Sequence, residues 1–418
     1  MSHRIALLSA EYPPAPGGVG DYTRQLGLAL AARGHEVLVF TNHDRRFTMY
    51  DLGDNSRVQL PARSTHSDAA WGWRSWPQIA EAVASTCPDV LHIQYQTGAY
   101  AMHPAINFLP LRLSRTRQRP LIAVTAHDLL EPYLFPKAGR LRSYVTRRLL
   151  ADADAVVVTN QEDALKIGAL LGSRGASQAP SVIPIGTNIA VNPPVGFSRD
   201  RLRSRLGAGV RGTLIAYFGL LGRSKGVDTL VAALAQLPQQ YRLVIIGGDA
   251  SAPPDRAYAE AVRGQIDALG LLPRVTITGQ LDEQEVSAHL LAADLVALPF
   301  ADGATFRRGS LLAALAHGLP VVTTTQGSGV GGQGSNPIAR RFSAGGFGVA
   351  NLTPALRDGE QVLLVPPDDA GALAVAIARL AGDAALRTRL GNAAAELAAL
   401  FTWERIAALH EQLYERMI

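Results

Sequence analysis

Short β-branched runs alternate with longer Ala/Leu-rich stretches of helical period along the chain, the pattern of parallel sheets covered by helices. The first half is predicted to form strands over Ile5–Ser9, Glu36–Thr41, Val90–Gln94, Leu121–Ala126, Ala155–Thr159 and Ser181–Ile185. A helix is expected between the first two, from about Asp21 to Arg33, with Asp21 as its N-cap and Gly34 closing it in a left-handed conformation. The pattern then restarts, with strands predicted over Thr213–Phe218, Leu243–Gly247, Val275–Thr278, Leu295–Pro299, Val321–Thr324 and Val362–Val365. This is an α/β chain of two doubly wound halves. Val191-Asn192-Pro193-Pro194 is the best linker, which gives domains over residues 1–194 and 195–400. The last segment, residues 401–418, is helical and is a candidate to pack back on the first half. The Gly/Ser-rich stretch 326–348, with Arg340 and Arg341 inside it, predicts a long mobile loop that is either a functional lid or plain disorder.

Composition narrows the class. With 418 residues, 47% hydrophobic and 18% charged, the chain has ample material for cores and is not a disordered sequence. The single Cys87 excludes an intramolecular disulfide and a cysteine zinc site, so a reducing, cytoplasmic setting is expected. The apolar start Ile5–Ala10 runs into Glu11-Tyr12-Pro13-Pro14 and reads as a strand, not a signal peptide. The net charge of +5 is unevenly placed, since residues 111–150 alone carry a net +7. Within it, Lys137, Arg140, Arg142, Arg147 and Arg148 alternate with Leu141, Tyr144, Val145 and Leu149 at helical spacing. Residues 137–148 are therefore a candidate for peripheral contact with an anionic membrane that would present a lipid-linked acceptor; the plainer reading is a solvated helix face. Nucleic acid is not an expected partner, because no aromatic residues interleave with these cations at stacking spacing.

Ligands of open α/β sheets bind beyond the carboxyl ends of the strands. After the first strand, Pro16-Gly17-Gly18-Val19-Gly20 and Asp21 open a helix whose first amides suit an anion or polar ligand. The run is not a dinucleotide fingerprint, because Thr23 stands where a third Gly or Ala belongs. In the second half, Gly219-Leu220-Leu221-Gly222-Arg223-Ser224-Lys225 joins a strand to a helix, so Arg223 and Lys225 can approach one diphosphate. Arg307-Arg308-Gly309-Ser310 precedes the helical run Leu311–His317, with Ser310 as a natural N-cap and the open amides plus two arginines forming a second anion site. Trp71, Trp73 and Trp76 either line a sugar or lipid path or anchor packing.

Taken together, Glu11-Tyr12-Pro13-Pro14 with Gly17-Gly18-Val19-Gly20, Pro88-Asp89-Val90-Leu91-His92, Thr125-Ala126-His127-Asp128, Val182-Ile183-Pro184-Ile185-Gly186, Lys225-Gly226-Val227-Asp228 and Ala316-His317-Gly318-Leu319-Pro320-Val321-Val322 resemble family 4 glycosyltransferases. The resemblance implies the GT-B fold, two Rossmann-like domains facing across a cleft. It implies retaining transfer of a sugar from a nucleotide-diphosphate donor to an acceptor, which is a small molecule, a glycan or a lipid-linked molecule, with no metal and no cofactor beyond the donor itself. On that likeness Gly18 is the glycine whose amide meets the donor phosphate or the acceptor, and Gly17, Gly20 and Asp21 belong to the acceptor-side loop. His127 is the histidine beside the reacting sugar, with His92 a weaker candidate, and Lys225 is the lysine that holds the diphosphate. Arg223, Arg308, Gly309 and Ser310 join Lys225 there, and the loop Gly279-Gln280-Leu281 faces the base and ribose.

The sequence departs from the family at three places. The two glutamates expected eight residues apart are Thr305 and Ala313, and the arginine expected before the lysine is Leu220. Asp302 is the one nearby acid able to replace the first glutamate, and Arg223, Arg307 or Arg308 can restore the missing positive charge. The alternative to an active transferase is a catalytically silent GT-B subunit that binds a nucleotide-sugar or a partner enzyme. An oxidoreductase is disfavoured because no complete dinucleotide fingerprint is present.

Overall fold

The strand β1 (Arg4–Ser9) shows how the apolar runs become a covered sheet. Ile5 and Leu7 join one buried layer with Val37, Val39 and Val90, while Ala6 and Leu8 join the opposite layer with Leu38, Phe40 and Leu91. A strand buried on both faces reads as continuous apolar sequence and requires helices on each side. The computed structural model describes residues 2–14, 17–43, 46–53, 56–58, 71–116, 119–129, 139–171, 179–210, 212–248, 253–326 and 355–418. The proposed loop 326–348 lies outside these, apart from Gln326.

After β1 come α1 (Gly18–Ala32), β2 (Glu36–His43), β3 (Arg46–Asp51), β4 (Ser56–Val58), α2 (Trp76–Thr86), β5 (Val90–Tyr95), α3 (Leu109–Leu113), β6 (Leu121–Ala126), α4 (Arg140–Ala151), β7 (Ala155–Val158), α5 (Gln161–Leu171) and β8 (Ser181–Val182). The eight strands lie in the order β4-β3-β2-β1-β5-β6-β7-β8. From β2 to β8 the pairs are parallel, and the two edge strands β3 and β4 add on antiparallel, a feature absent from the expected parallel sheet. Tyr22, Leu26 and Leu30 of α1 fall at helical spacing and pack on the β1 face. This helix begins three residues before the expected start. Gly17 is its N-cap and its carbonyl accepts from Asp21 N at 3.0 Å, so Asp21 sits inside the first turn and is not the cap. Gly34 follows the C-cap with φ 93°, and its N–H bonds Ala31 O.

The second half runs α6 (Arg199–Arg205), β9 (Thr213–Phe218), α7 (Val227–Gln236), β10 (Tyr241–Ile246), α8 (Pro253–Ala268), β11 (Val275–Ile277), α9 (Glu283–Ala292), β12 (Leu295–Leu298), α10 (Gly309–Ala316), β13 (Val321–Thr324), β14 (Leu363–Val365), α11 (Ala370–Gly382) and α12 (Ala384–Ala398). Its six strands lie in the order β11-β10-β9-β12-β13-β14, all parallel. The last helix, α13 (Trp403–Met417), belongs to the first unit, where Ile406, Leu413 and Tyr414 join the layer built by α1. Arg33 Nε donates to Glu411 Oε2 at 2.8 Å and fixes this helix to the end of α1.

The described residues up to Gly186 and from Thr402 onward form one unit, and those between Thr187 and Phe401 the other. The division thus falls upstream of the expected linker. The reason is local: Asn192 N donates to Ser287 Oγ at 3.0 Å, which ties the segment around Pro193 and Pro194 to α9 of the second unit.

Candidate functional site

In the second sheet the chain leaves β9 toward β10 on one side, while β12 flanks β9 on the other. The gap beyond their carboxyl ends is the switch point where open α/β sheets hold ligands. The loop after β9 forms a tight turn over Arg223–Lys225, and the loop after β12 is tied to it by Ala301 N donating to Ser224 O at 3.1 Å. Gly226 makes that approach feasible: its φ is 65°, and a Cβ there would lie 1.9 Å from Pro299 O.

This brings Lys225 and Arg308, 83 positions apart in the chain, over one aromatic ring. Lys225 Nζ lies 5.6 Å and Arg308 Cζ 4.8 Å from the centroid of the buried Phe300 ring, whose face attracts cations. Arg308 Nη2 donates to both carboxylate oxygens of Asp302. Burial pushes the Lys225 ammonium down to about 8; the neighbouring Arg308 cation adds to this and Asp302 opposes it.

Helix α10 starts at Gly309, with Arg308 as its N-cap and no side-chain cap. Ser310 is therefore the second helical residue, a correction to its expected capping role, because Leu311 N and Leu312 N both bond Arg308 O and place the cap two residues earlier. The first amides of a helix have no partner inside it, so Gly309 and Ser310 present N–H groups at the positive end of the α10 dipole, next to Arg308. Arg223 and Arg307 are exposed. Gly279, with φ 70°, Gln280 and Leu281 follow β11, and Gly247 bridges Gly279 so that this loop lies beside the end of β10. At the family's two glutamate positions, Thr305 O accepts from Arg308 N and Ala313 is fully buried on α10.

In the first unit, His127 directly follows β6. Its N–H bonds Tyr95 O at 2.8 Å, its Nε2 lies 3.0 Å from Gln94 Oε1, and the Tyr22 ring packs edge-on at 4.7 Å. Because a carbonyl oxygen only accepts, Nε2 carries the proton in this bond. Gln94 is completely buried, and sequence reasoning did not single it out, although a polar residue near the carboxyl end of a buried strand is such a signal. Phe300, two residues after β12, was likewise missed. His92 is not a site residue: it is fully buried, hydrogen-bonded through both ring nitrogens, and held neutral by burial.

The start of α1 is less open to an anion than its glycines suggest. The Glu11 carboxylate accepts from Val19 N–H, and burial raises its pKa. Gly20 is required by packing, since a Cβ would stand 3.0 Å from the backbone of Glu11 and Tyr12, whereas the space around Gly18 is empty to 4 Å. Asp21, in the first turn, is also pushed up by desolvation.

The basic run 137–148 is only partly described: Lys137 and the Arg140 side chain lie outside the described residues. On α4, Val145 and Leu149 face the core, Leu141 and Tyr144 are exposed, Arg148 pairs with Asp152, and Arg147 Nη2 donates to Leu171 O. The inward half of the apolar stripe is thus core packing. Trp71 packs on Tyr100, Trp76 Nε1 donates to Ala105 O, and Trp73 packs against Trp76 while half-exposed. Among the described residues no helix is long and apolar enough to cross a membrane.

Two family models match the chain in order, a glycosyl transferase 4-like domain over residues 17–186 and glycosyl transferases group 1 over residues 212–340. Proteins named D-inositol 3-phosphate glycosyltransferase are 28% identical in Xylanimonas cellulosilytica, over 98% of this chain and 96% of that protein, and 27% identical in Corynebacterium efficiens, over 98% and 95%. Among solved structures, sucrose-phosphate synthase from Thermosynechococcus elongatus aligns with a TM-score of 0.68 at 26% identity, covering 99% of this chain and 98% of that one. The Anabaena protein HepE, solved with UDP, aligns with a TM-score of 0.66 at 19% identity, covering 99% of both, and shares the fold. Two consecutive Rossmann-like units, each matched by a glycosyltransferase model, and full-length relatives of that activity lead to one assignment: the chain belongs to the family 4 glycosyltransferases of GT-B fold.

Proposed function

We propose that this glycosyltransferase moves a sugar from a nucleotide-diphosphate donor to an acceptor hydroxyl with retention at the anomeric carbon and without a metal ion. The observation that carries this reading is the pair Lys225 and Arg308 over Phe300, next to the first amides of α10. The leaving group of such a transfer is a diphosphate, and its departure is accelerated by cations and amides already in place when the negative charge develops. The Lys225 ammonium and the Arg308 fork supply the countercharge that a metal supplies elsewhere. Gly309 and Ser310 add amide donors, and the Gly279–Leu281 loop takes the base and ribose. His127, held by Gln94 through Nε2, orients the reacting sugar. Asp302, already bound to Arg308, keeps the guanidinium in place and stands in for the missing carboxylate at position 305. The relatives named for inositol 3-phosphate put small phosphorylated polyols at the head of the acceptor panel, beside glycans and lipid-linked sugars.

A second reading, a silent donor-binding subunit, draws on the absence of carboxylates at Thr305 and Ala313. One experiment separates the two. Thermal stabilisation by a panel of nucleotide-sugars and nucleoside diphosphates identifies the donor by mass action. Release of nucleoside diphosphate is then followed with that donor and each acceptor. Stabilisation followed by acceptor-dependent release is expected; stabilisation with no release for any acceptor gives the silent reading, and no stabilisation at millimolar ligand overturns both.

A further inference from the structure

A line of buried polar groups runs behind His127. Tyr414 OH lies 2.6 Å from His92 Nδ1, and His92 Nε2 lies 2.8 Å from Thr125 Oγ1. Thr125 bonds Tyr22 OH, Tyr22 OH lies 3.4 Å from His410 Nε2, and His410 Nδ1 lies 2.9 Å from Ile406 O. Tyr414, His92, Thr125 and His410 are fully buried, and Tyr22 nearly so.

The proton positions along this line follow from its last member. Ile406 O can only accept, so His410 Nδ1 carries the proton and Nε2 accepts. Tyr22 OH must then donate to His410, which leaves its oxygen to accept from the Thr125 hydroxyl. Thr125 in turn accepts from His92 Nε2–H, and His92 Nδ1 accepts from Tyr414 OH. Each step is forced by the one before, provided both histidines are neutral. Burial ensures that condition, lowering His92 well below its ordinary value and His410 to about 4. The chain starts at Tyr414 and ends at Ile406, both on α13, and passes through β5, β6 and α1 on the way. Its fourth member, Tyr22, packs edge-to-face with both His127 and Trp403.

We propose that Tyr414 and His410 of the C-terminal helix are positioning residues for His127, acting through a one-directional hydrogen-bond chain that locks Tyr22 against the imidazole. Neither residue touches substrate. The chain fixes the ring of Tyr22, and Tyr22 with Gln94 Oε1 leaves the imidazole one orientation, with the proton on Nε2. The sequence hides this arrangement, because Tyr22 and His410 stand 388 positions apart. The consequence for transfer rests on the proposed role of His127; the effect on the imidazole itself does not.

The test therefore reads both. In protein labelled with 15N-histidine, the Nε2–H signal of His127, assigned by its loss in His127→Gln, is expected to be a single slowly exchanging resonance. Tyr414→Phe removes the first donor without changing shape, and should shift or broaden that signal and lower kcat about fivefold, the worth of one hydrogen bond, with donor KM within about twofold. His410→Gln, which keeps an acceptor for Tyr22 and a donor for Ile406 O, should restore what His410→Leu loses. An unchanged His127 signal in Tyr414→Phe and in a folded His410→Leu overturns the proposal, as does equal behaviour of His410→Gln and His410→Leu. If Tyr414→Phe alters the signal while His127→Gln keeps full turnover, the positioning stands and the assigned role of His127 fails.

Discussion

Lys225 gives the donor site a pH dependence whose sign and size follow from its surroundings. Burial and the Arg308 cation push its ammonium from an ordinary 10.5 down to about 8. A lowered pKa means that the free protein loses this proton as pH rises through about 8, so about half the molecules carry the charge at pH 8 and about one-tenth at pH 9. If the diphosphate binds only the charged form, apparent affinity should fall about tenfold between pH 7 and pH 9. A bound diphosphate raises the lysine again, so binding above pH 8 takes up a proton. The ligand adds nothing to this window, because the last ionisation of a terminal phosphate lies near 6. Isothermal titration of the stabilising nucleoside diphosphate at constant ionic strength, in two buffers of different ionisation enthalpy, measures affinity and proton uptake together. Lys225→Arg keeps its charge at every pH and should flatten the curve. Wild-type affinity that is constant from pH 7 to 9 without proton uptake would refute the reasoning.

The neighbours of Lys225 should move the same curve in opposite directions. Arg308→Ala removes a cation that lowers the lysine, so the alkaline limb should shift to higher pH while affinity at pH 7 drops about ten- to a hundredfold, as expected for a lost charge-assisted hydrogen bond. Asp302→Asn removes the opposing charge and should shift the limb to lower pH; titrations repeated on both variants decide. At Gly226, alanine places a Cβ 1.9 Å from Pro299 O at φ 65°, so the turn over Arg223–Lys225 and the loop after β12 cannot both hold their positions. Gly226→Ala should lower Tm and abolish nucleotide stabilisation in a thermal melt, whereas Gly264→Ala, on the exposed side of α8 with no atom within 4 Å, should leave binding intact and raise stability by about 1 kcal/mol.

What could be read from the sequence was whatever repeats a local rule. Leu121–Ala126, Thr213–Phe218 and Val321–Thr324 are strands at the bounds their apolar runs predict, because a parallel strand buried on both faces needs no partner to be recognised. The loop residues Lys225, Asp302 and Arg308 were legible for a related reason: each follows a strand, and loops after strands share one edge of the sheet. The edge pair β3 and β4 was not legible, since Arg46–Asp51 gains its place from pairing with β2 and carries only a few apolar side chains of its own.

The expected caps failed by four and two residues, and for a definite reason. Sequence reading assigned the cap to the residue with the best side chain, Asp21 or Ser310, but both helices begin without any side-chain cap, at Gly17 and Arg308. A capping side chain would occupy amides that a ligand can use, so where an anion binds at a helix start the usual capping signal points away from the site. The two ends differ in what faces them. At α1 the Glu11 carboxylate already accepts from Val19 N–H, while at α10 the neighbouring charge is the Arg308 guanidinium. An anionic ligand is therefore repelled by an internal acid at the first helix and drawn by cations at the second. That asymmetry favours α10 over the start of α1 as the place for the proposed diphosphate.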